Sequence, residues 1–291
     1  GGCDEGTGYW NMAGGSLLDC LEVVSQVTDG RMTFWQEPKL RAIGAFPLHA
    51  HIAGPWYWNF ADCDARPMLD GERVCRFGEV TGNAALMQLG ASVASGVLPR
   101  DTPQMDRVLN ALFHTPPASP APPSEKQVSL PRLQVFARER NGLYAAIKGG
   151  NNNECHNHND VGTFLLYADG EPVFIDVGNM VYTAKTFSAE RYTLWNTQAR
   201  NHNLPMIGEI DQQAGAAYRA RDVAESADAV DMDIAPAYPE AAGVLRLHRR
   251  FAFAPAFTLT DRVELSAPAS VTWVFMTREA PILGEGSLRA G

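Results

Sequence analysis

"RLQVFARERNGLYAAIKGG", residues 132–150, sets the fold class. Two strand-like runs flank Asn141-Gly142, a pair that tolerates the positive φ angles of a tight hairpin turn. The device repeats in "TFLLYADGEPVFIDVG", residues 163–178, around Asp169-Gly170. Further strand-like runs follow at "VLRLHRRFAFAP" (244–255), "FTLTDRVEL" (257–265) and "SVTWVFMT" (270–277). A period of two with short turns predicts an antiparallel β-sandwich over residues 133–291.

Working back toward the N-terminus, the period changes. "HTPPASPAPPSEKQVSLP", residues 114–131, is proline-rich, so 116–132 is expected to be a linker. Before it, residues 1–115 read as helix and long loop. Ser16 can cap a helix with Leu17, Leu18, Leu21 and Val24 on one face, stopped at Asp29-Gly30. Thr102-Pro103 starts another, with Met105, Val108, Leu109 and Leu112 at helical spacing and His114 at its end. An aromatic loop, "GPWYWNFADCDARP" (54–67), lies between; its flat faces suit sugar rings or gaps between helices. The fold class read from the sequence is therefore α+β with two domains.

Composition excludes several classes. The 291 residues are 45% hydrophobic and 20% charged, as in globular domains. No apolar run reaches the ~18 residues of a membrane-spanning helix. A net charge of −9, from 33 acids and 24 bases, argues against nucleic acid as a partner. The five cysteines are scattered without a C-x-x-C, which is neither a disulfide framework nor a zinc ribbon.

Between the two hairpins lies "ECHNHNDVG", residues 154–162. On a strand, alternate side chains share a face, so His156 and His158 could reach one metal. Asp176 ends the next strand, and His202 sits in "QARNHNLP" after a long loop. Two or three histidines with one carboxylate make a plausible zinc set. Hydrogen-bonded loop residues would look the same. A cupin-like metal enzyme is a third reading, although the glutamate it needs beyond His158 is absent. His49 and His51 form a second pair without an acid nearby and read as cleft or loop residues. His248, among Arg246, Arg249 and Arg250, reads as an exposed strand face.

The run "KGGNNNECHNHNDVGTFLLYADGEPVFIDVG" (148–178), then "YTAKTFSAERYTLWNTQARNHN" (182–203), resembles the heparinase II/III-like family of polysaccharide lyases. "DEGTGYWNMAGG" (4–15) is similar to the same family's Asp-Glu-Gly-x-x-Tyr-Trp segment. The resemblance implies the C-terminal part of an (α/α) toroid followed by a β-sandwich. It implies that His156 is catalytic while His158, Asp176 and His202 hold a zinc ion that organises the site. It matches Tyr9 to a general base or acid and Tyr192 to a second cleft tyrosine. Glu5, Trp10, Lys148 and Arg191 would then contact substrate, with Lys185 a further basic candidate.

The chemistry implied is β-elimination at a uronic acid in an acidic polysaccharide such as heparan sulfate, alginate or hyaluronan. A noncatalytic glycan-binding relative is the alternative. The family's upstream Asn/His pair, which grips the uronate carboxylate, has no counterpart here, and the sequence opens without an initiator methionine. It is therefore read as a piece of a longer lyase that lacks part of its machinery. The resemblance also implies export to the periplasm or cell surface and leaves oligomeric state open, a homodimer included.

Overall fold

In the computed structural model, which describes residues 2–94, 105, 107–109, 116, 119–122, 127–285 and 287–289, helix α1 spans Trp10–Val27. It starts earlier than the Ser16 cap suggests, because a 3-10 turn at Thr7–Tyr9 leads directly into it. Trp10 is 1% exposed, lies over Gly14 and donates from Nε1 to the Ile43 carbonyl (2.9 Å). Ser16 is thus inside the helix, where its Oγ accepts from Arg107. The stop is as expected: Asp29 and Gly30 take φ of 49° and 73°. Of the predicted face, Leu18 is buried and Leu17, Leu21 and Val24 are half-buried.

Short helices α2 (Pro38–Gly44) and α3 (Phe46–Ala50) follow, then a small antiparallel pair, β1 (His51–Ala53) and β2 (Trp56–Tyr57). His51 is buried against Tyr57 rather than lining a cleft (ring centroids 5.1 Å). Helices α4 (Gly71–Thr81) and α5 (Ala84–Val93) each begin at a side-chain cap. Asp70 accepts from the Arg73 N–H, and Asn83 from the Leu86 N–H. The two helices touch backbone to backbone: a Cβ on Gly90 would lie 2.2 Å from the Cys75 nitrogen.

Of the helix expected after Thr102, Thr102, Pro103, Leu112 and His114 lie outside the described residues. Met105, Val108 and Leu109 are helical, but Met105 and Leu109 are exposed. Arg107 is buried instead, because both its Nε and Nη2 donate to Asp19 Oδ2 (2.9 and 2.8 Å).

The second unit is built on two antiparallel sheets. The first has the order β3–β4–β5–β7–β8. Its strands are β3 (Gln127–Leu130), β4 (Val135–Arg140), β5 (Leu143–Lys148), β7 (Phe164–Ala168) and β8 (Glu171–Phe174), with the short β6 (Asn151–Asn152) after β5. Both predicted hairpin turns form, with φ of 52° and 78° at Asn141-Gly142 and 49° and 86° at Asp169-Gly170. Strands β9 (Pro205–Ile207) and β10 (Gly215–Arg219) come next. The second sheet runs β11 (Arg221–Glu225), β12 (Ala229–Asp233), β13 (Val244–Ala252) and β14 (Thr258–Leu265) in that order. Phe136, Ile147, Phe164 and Leu166 from the first sheet and Val230, Met232, Leu247 and Phe251 from the second form one buried cluster. That interleaving makes a sandwich.

Three expectations are corrected here. Strand β3 falls inside the stretch read as a linker. Residues Trp58–Asp64 of the aromatic loop belong with the β unit, whose other part is Lys126–Gly291; the helical unit comprises Gly1–Tyr57 and Ala65–Glu125. The loop is held by polar stitches: Trp58 Nε1 donates to the Tyr144 hydroxyl (2.7 Å), and Asn59 Nδ2 to the Asp176 carbonyl (3.0 Å). Arg249 is fully buried, unlike its half-exposed neighbour His248, because it shares the inward face of β13 with Leu247 and Phe251. There its guanidinium donates twice to Asp261 and once each to the carbonyls of Gly162 and Asn203. Among the described residues the five cysteines form no disulfide.

Gly90→Ala is expected to destabilise the helical unit by about 1–3 kcal/mol, since neither backbone can yield to the added methyl. Urea unfolding followed through Trp10 fluorescence measures this. A second expectation concerns acid. Burial pulls the His51 pKa below its usual value, and the Gly54 carbonyl only partly opposes this (Nε2 to O, 3.0 Å). Nδ1 is buried without a hydrogen-bond partner among the described residues, so the neutral ring is the folded form. Its stabilising contribution is full above about pH 6.5 and is lost as pH falls, because the unfolded state takes up the proton first. The unfolding midpoint should fall as pH drops below about 7, and less steeply in His51→Gln.

Candidate metal and acid–base site

The "ECHNHNDVG" turn leaves strand geometry at His156, whose φ of 54° is left-handed. That one departure matters, because an extended chain would send His156 and His158 to the same side. Instead the two rings reach opposite oxygens of one carboxylate, Asp62. His156 Nδ1 lies 3.0 Å from Oδ2, and His158 Nε2 lies 3.1 Å from Oδ1. Arg191 Nη2 (2.8 Å) and the Tyr182 hydroxyl (3.2 Å) also donate to Oδ2. The Asp62 N–H donates to the His156 carbonyl, so loop and turn are joined through backbone as well. Burial would raise the Asp62 pKa, but hydrogen bonds from His158 and the Arg191 charge outweigh it and hold the carboxyl at about 2.

Beyond His158 lies the second cluster. One donor atom each from His158, Asp176 and His202 lies within 4.8 Å of the others, and all three residues are buried. The supports are specific. Asp176 leaves β8 and accepts at Oδ1 from the Gly178 N–H (2.9 Å). Gly178 has φ of 59°, and a Cβ there would lie 2.6 Å from Asn59 Nδ2 and the Cys63 carbonyl. His202 Nε2 donates to the Asn196 carbonyl (3.0 Å), while Nδ1 faces Asp176 Oδ2 (2.9 Å). Arg249 grips the carbonyls of Gly162 and Asn203, which fixes the segments beyond both histidines. Burial favours the neutral His158 ring and lowers its pKa. His202 is pushed the other way: burial would lower it, but the Asp176 charge raises it.

This trio fits a zinc ion on its own chemistry. Two imidazoles and a carboxylate are a common donor set for that metal. Each histidine has its Nε2–H committed to an oxygen, so Nδ1 is the atom turned to the other donors; on His202 it faces Asp176 Oδ2, and a metal would take the place of the proton held there. His158 Nδ1 is buried with no hydrogen-bond partner among the described residues. His156 is not in the trio, and the cupin-like reading, which needs both histidines on one ion, finds no support.

The other sequence-derived candidates divide. Tyr9 closes the 3-10 turn before α1, with Glu5 half-buried just ahead of it. Trp10 is a core residue of the helical unit, not a substrate contact. Lys148 is likewise corrected: it is buried, pairs with Asp160 (2.5 Å) and lies 3.5 Å from Glu154, so its ammonium is spent inside the β unit. Burial alone would lower its pKa, yet those carboxylates raise it. Arg191 is held by Asp62 and by the carbonyls of His156 and Asn157. Lys185 is half-exposed, near Glu190. The tyrosine beside His156 is Tyr182, not Tyr192: its hydroxyl is 3.3 Å from Nδ1 and its ring stacks at 6.1 Å. Tyr192 donates to Asn157 Oδ1 (2.7 Å), and burial raises its pKa.

Asp62, Tyr182 and Asn196 were missed by sequence reasoning. Asp62 lies in the aromatic loop, and Tyr182 and Asn196 lie in residues 182–203, but no spacing rule singles them out.

Comparison with known proteins bears on fold and family. The profile of the family described as "Heparinase II/III-like, C-terminal" matches residues 133–280. A solved heparinase III gene product is similar over 97% of this chain and 42% of its own, with a TM-score of 0.64 and 18% identity. Heparan sulfate lyase HepC from Pedobacter heparinus is similar over 96% of this chain and 41% of its own (TM-score 0.60, 15% identity). The chain thus spans about two-fifths of the length of these structures. No match was found among curated proteins.

The donor set predicts zinc binding that depends on His158, Asp176 and His202. Alanine at each should weaken zinc affinity by at least about 10-fold, whereas His156→Ala should retain it. Elemental analysis after dialysis against a graded chelator checks this.

Proposed function

The chain belongs to the heparinase II/III-like family, and from that premise we propose that it contributes the β-domain site of a polysaccharide lyase acting on a uronate-bearing glycan. The observation that carries the reading is the separation of roles across one carboxylate. His156 is partly exposed and lies outside the buried trio, so it is the imidazole that can meet a substrate.

In the reaction proposed, a base takes the C5 proton, α to the uronate carboxylate. The C–H electron pair becomes the C4=C5 double bond, the C4–O bond breaks, and the departing glycosidic oxygen takes a proton. The C5 proton is weakly acidic until donors neutralise the carboxylate beside it. An imidazole titrates near neutral pH and suits either proton transfer or that neutralisation. Asp62 accepts the Nδ1–H of His156, which puts the ring's lone pair on Nε2. Tyr182 and Arg191 hold the same carboxylate and so fix the ring's plane. Zinc, when bound, would supply a fixed positive charge that organises the loops around His158, Asp176 and His202. The role of Tyr9 as general base or acid rests on the sequence resemblance alone.

The family supports a polysaccharide as substrate class; which uronate polymer, and export to the periplasm or cell surface, are proposals. No helix among the described residues is long and apolar enough to cross a membrane.

The test is the appearance of ultraviolet absorbance from the unsaturated sugar when the complete natural protein that contains this chain is given heparan sulfate, alginate or hyaluronan. His156→Ala should reduce the rate by roughly 10²–10⁴-fold while zinc content stays unchanged. A folded, zinc-loaded protein that leaves every uronate polymer intact would sink the lyase reading.

A further inference from the structure

We propose that Asp62 is the positioning residue of this site: one carboxylate sets the tautomers of His156 and His158 together, and so links the proton-transfer imidazole to the metal position. The inference rests on the roles given above to those two histidines.

The convergence on Asp62 is the first ground. Oδ1 faces His158 Nε2, and Oδ2 faces His156 Nδ1, Arg191 Nη2 and the Tyr182 hydroxyl. An ionised carboxylate only accepts hydrogen bonds, so each ring nitrogen that touches it must carry a proton. In the neutral rings this leaves the lone pair of His158 on Nδ1 and that of His156 on Nε2. The two histidines, two residues apart, are thereby given opposite tautomers by a single group. The His158 assignment agrees with an independent feature, the burial of its Nδ1 without a hydrogen-bond partner among the described residues.

The second ground is that Asp62 has little freedom to move. Its side chain is almost wholly enclosed, its N–H donates to the His156 carbonyl, and Arg191 spans from its Oδ2 to that carbonyl (2.9 Å) and the Asn157 carbonyl (3.1 Å). Flanking residues of its loop are fastened to the turn after β8: Asn59 to the Asp176 carbonyl, and the Cys63 carbonyl to the Asn179 N–H (3.2 Å). Because the carboxylate is held in place, a change in the charge on His158 reaches His156 through the polarisation of the shared carboxylate's hydrogen bonds and not through its movement. A fixed oxygen partner on the far nitrogen of a metal-binding histidine also raises the ligand's basicity, and removal of such partners costs about 10–100-fold in metal affinity.

Asp62→Asn, in the full chain, keeps the shape of the group but replaces one acceptor oxygen with a donor. Two readouts apply, neither of which needs turnover: zinc affinity by chelator competition, and the ring tautomer of His156 by long-range proton–nitrogen NMR with and without zinc. In the unaltered protein, His156 should be the Nδ1–H tautomer, and its nitrogen shifts should respond to zinc. In Asp62→Asn, zinc affinity should fall about 10–100-fold and the His156 response should vanish, with near-ultraviolet circular dichroism preserved. Where that variant fails to fold, Asp62→Glu, which keeps the charge but displaces both oxygens, is read for the same two losses. Zinc affinity and His156 shifts that match the unaltered protein overturn the proposal, as does an unaltered protein that binds no zinc. A missing elimination reaction in the unaltered protein would count against the lyase reading and leave these readouts intact.

Discussion

A buried carboxylate is tolerated only when its lone pairs are occupied, and Asp62 meets that condition with two imidazoles, a guanidinium and a phenol. Much of the local structure follows from this requirement. The aromatic loop must leave the helical segment of sequence and join the β unit to deliver Asp62. The turn must adopt a left-handed residue at His156, so that neighbouring imidazoles approach opposite oxygens. A left-handed conformation is uncommon for a residue with a side chain and persists where its surroundings hold it. Here the holders are identifiable: the Asp62 N–H and the Arg191 guanidinium both bond to the His156 carbonyl.

The sandwich supplies the rigidity on which that arrangement stands. Its apolar cluster sits between the two sheets, but the polar groups buried beside it do the local positioning. Lys148, at the end of β5, pairs with Asp160 two residues beyond His158. Arg249, on the inward face of β13, binds the carbonyls of Gly162 and Asn203. One cation thus anchors the exit of the histidine turn, and the other anchors the segments beyond His158 and His202. Removing either partner of such a pair would strand an unpaired charge, which costs more than the pair itself contributes. These interactions therefore specify one geometry more than they add stability.

Legibility from sequence followed the range of the interactions. Asn141-Gly142 and Asp169-Gly170 encode their hairpins locally, through residues that accept positive φ, and both were readable. The gathering of His158, Asp176 and His202 was readable too, since each stands at the edge of a recognisable segment and the family resemblance names the set. What failed was anything decided by distant packing. Asp62 lies 94 residues from His156, and an acid in an aromatic loop carries no mark of its destination. Trp10 and Lys148 look like surface contacts in one dimension; a backbone carbonyl and a carboxylate, both supplied by the fold, draw them inside. Strict alternation would have placed His156 and His158 together, and only the dihedral at His156 separates them. Tyr182 and Tyr192 are alike in a string of letters, and their hydroxyl partners alone distinguish them.

On the function proposed above, the division between the two histidines would let so short a motif serve two ends. Coordination to a metal needs a lone pair, dryness and permanence; proton exchange with a polymer needs partial exposure and a ring that can change state. Two imidazoles on one face of a strand would share an environment and could not satisfy both demands. Here the positive φ accompanies full burial of His158 and leaves His156 with 22% of its side chain exposed, while both rings bond to the one Asp62 carboxylate. Independence of environment combined with dependence of orientation is what the shared carboxylate achieves. Exchanging it for two separate acceptors would keep each hydrogen bond and lose the coupling.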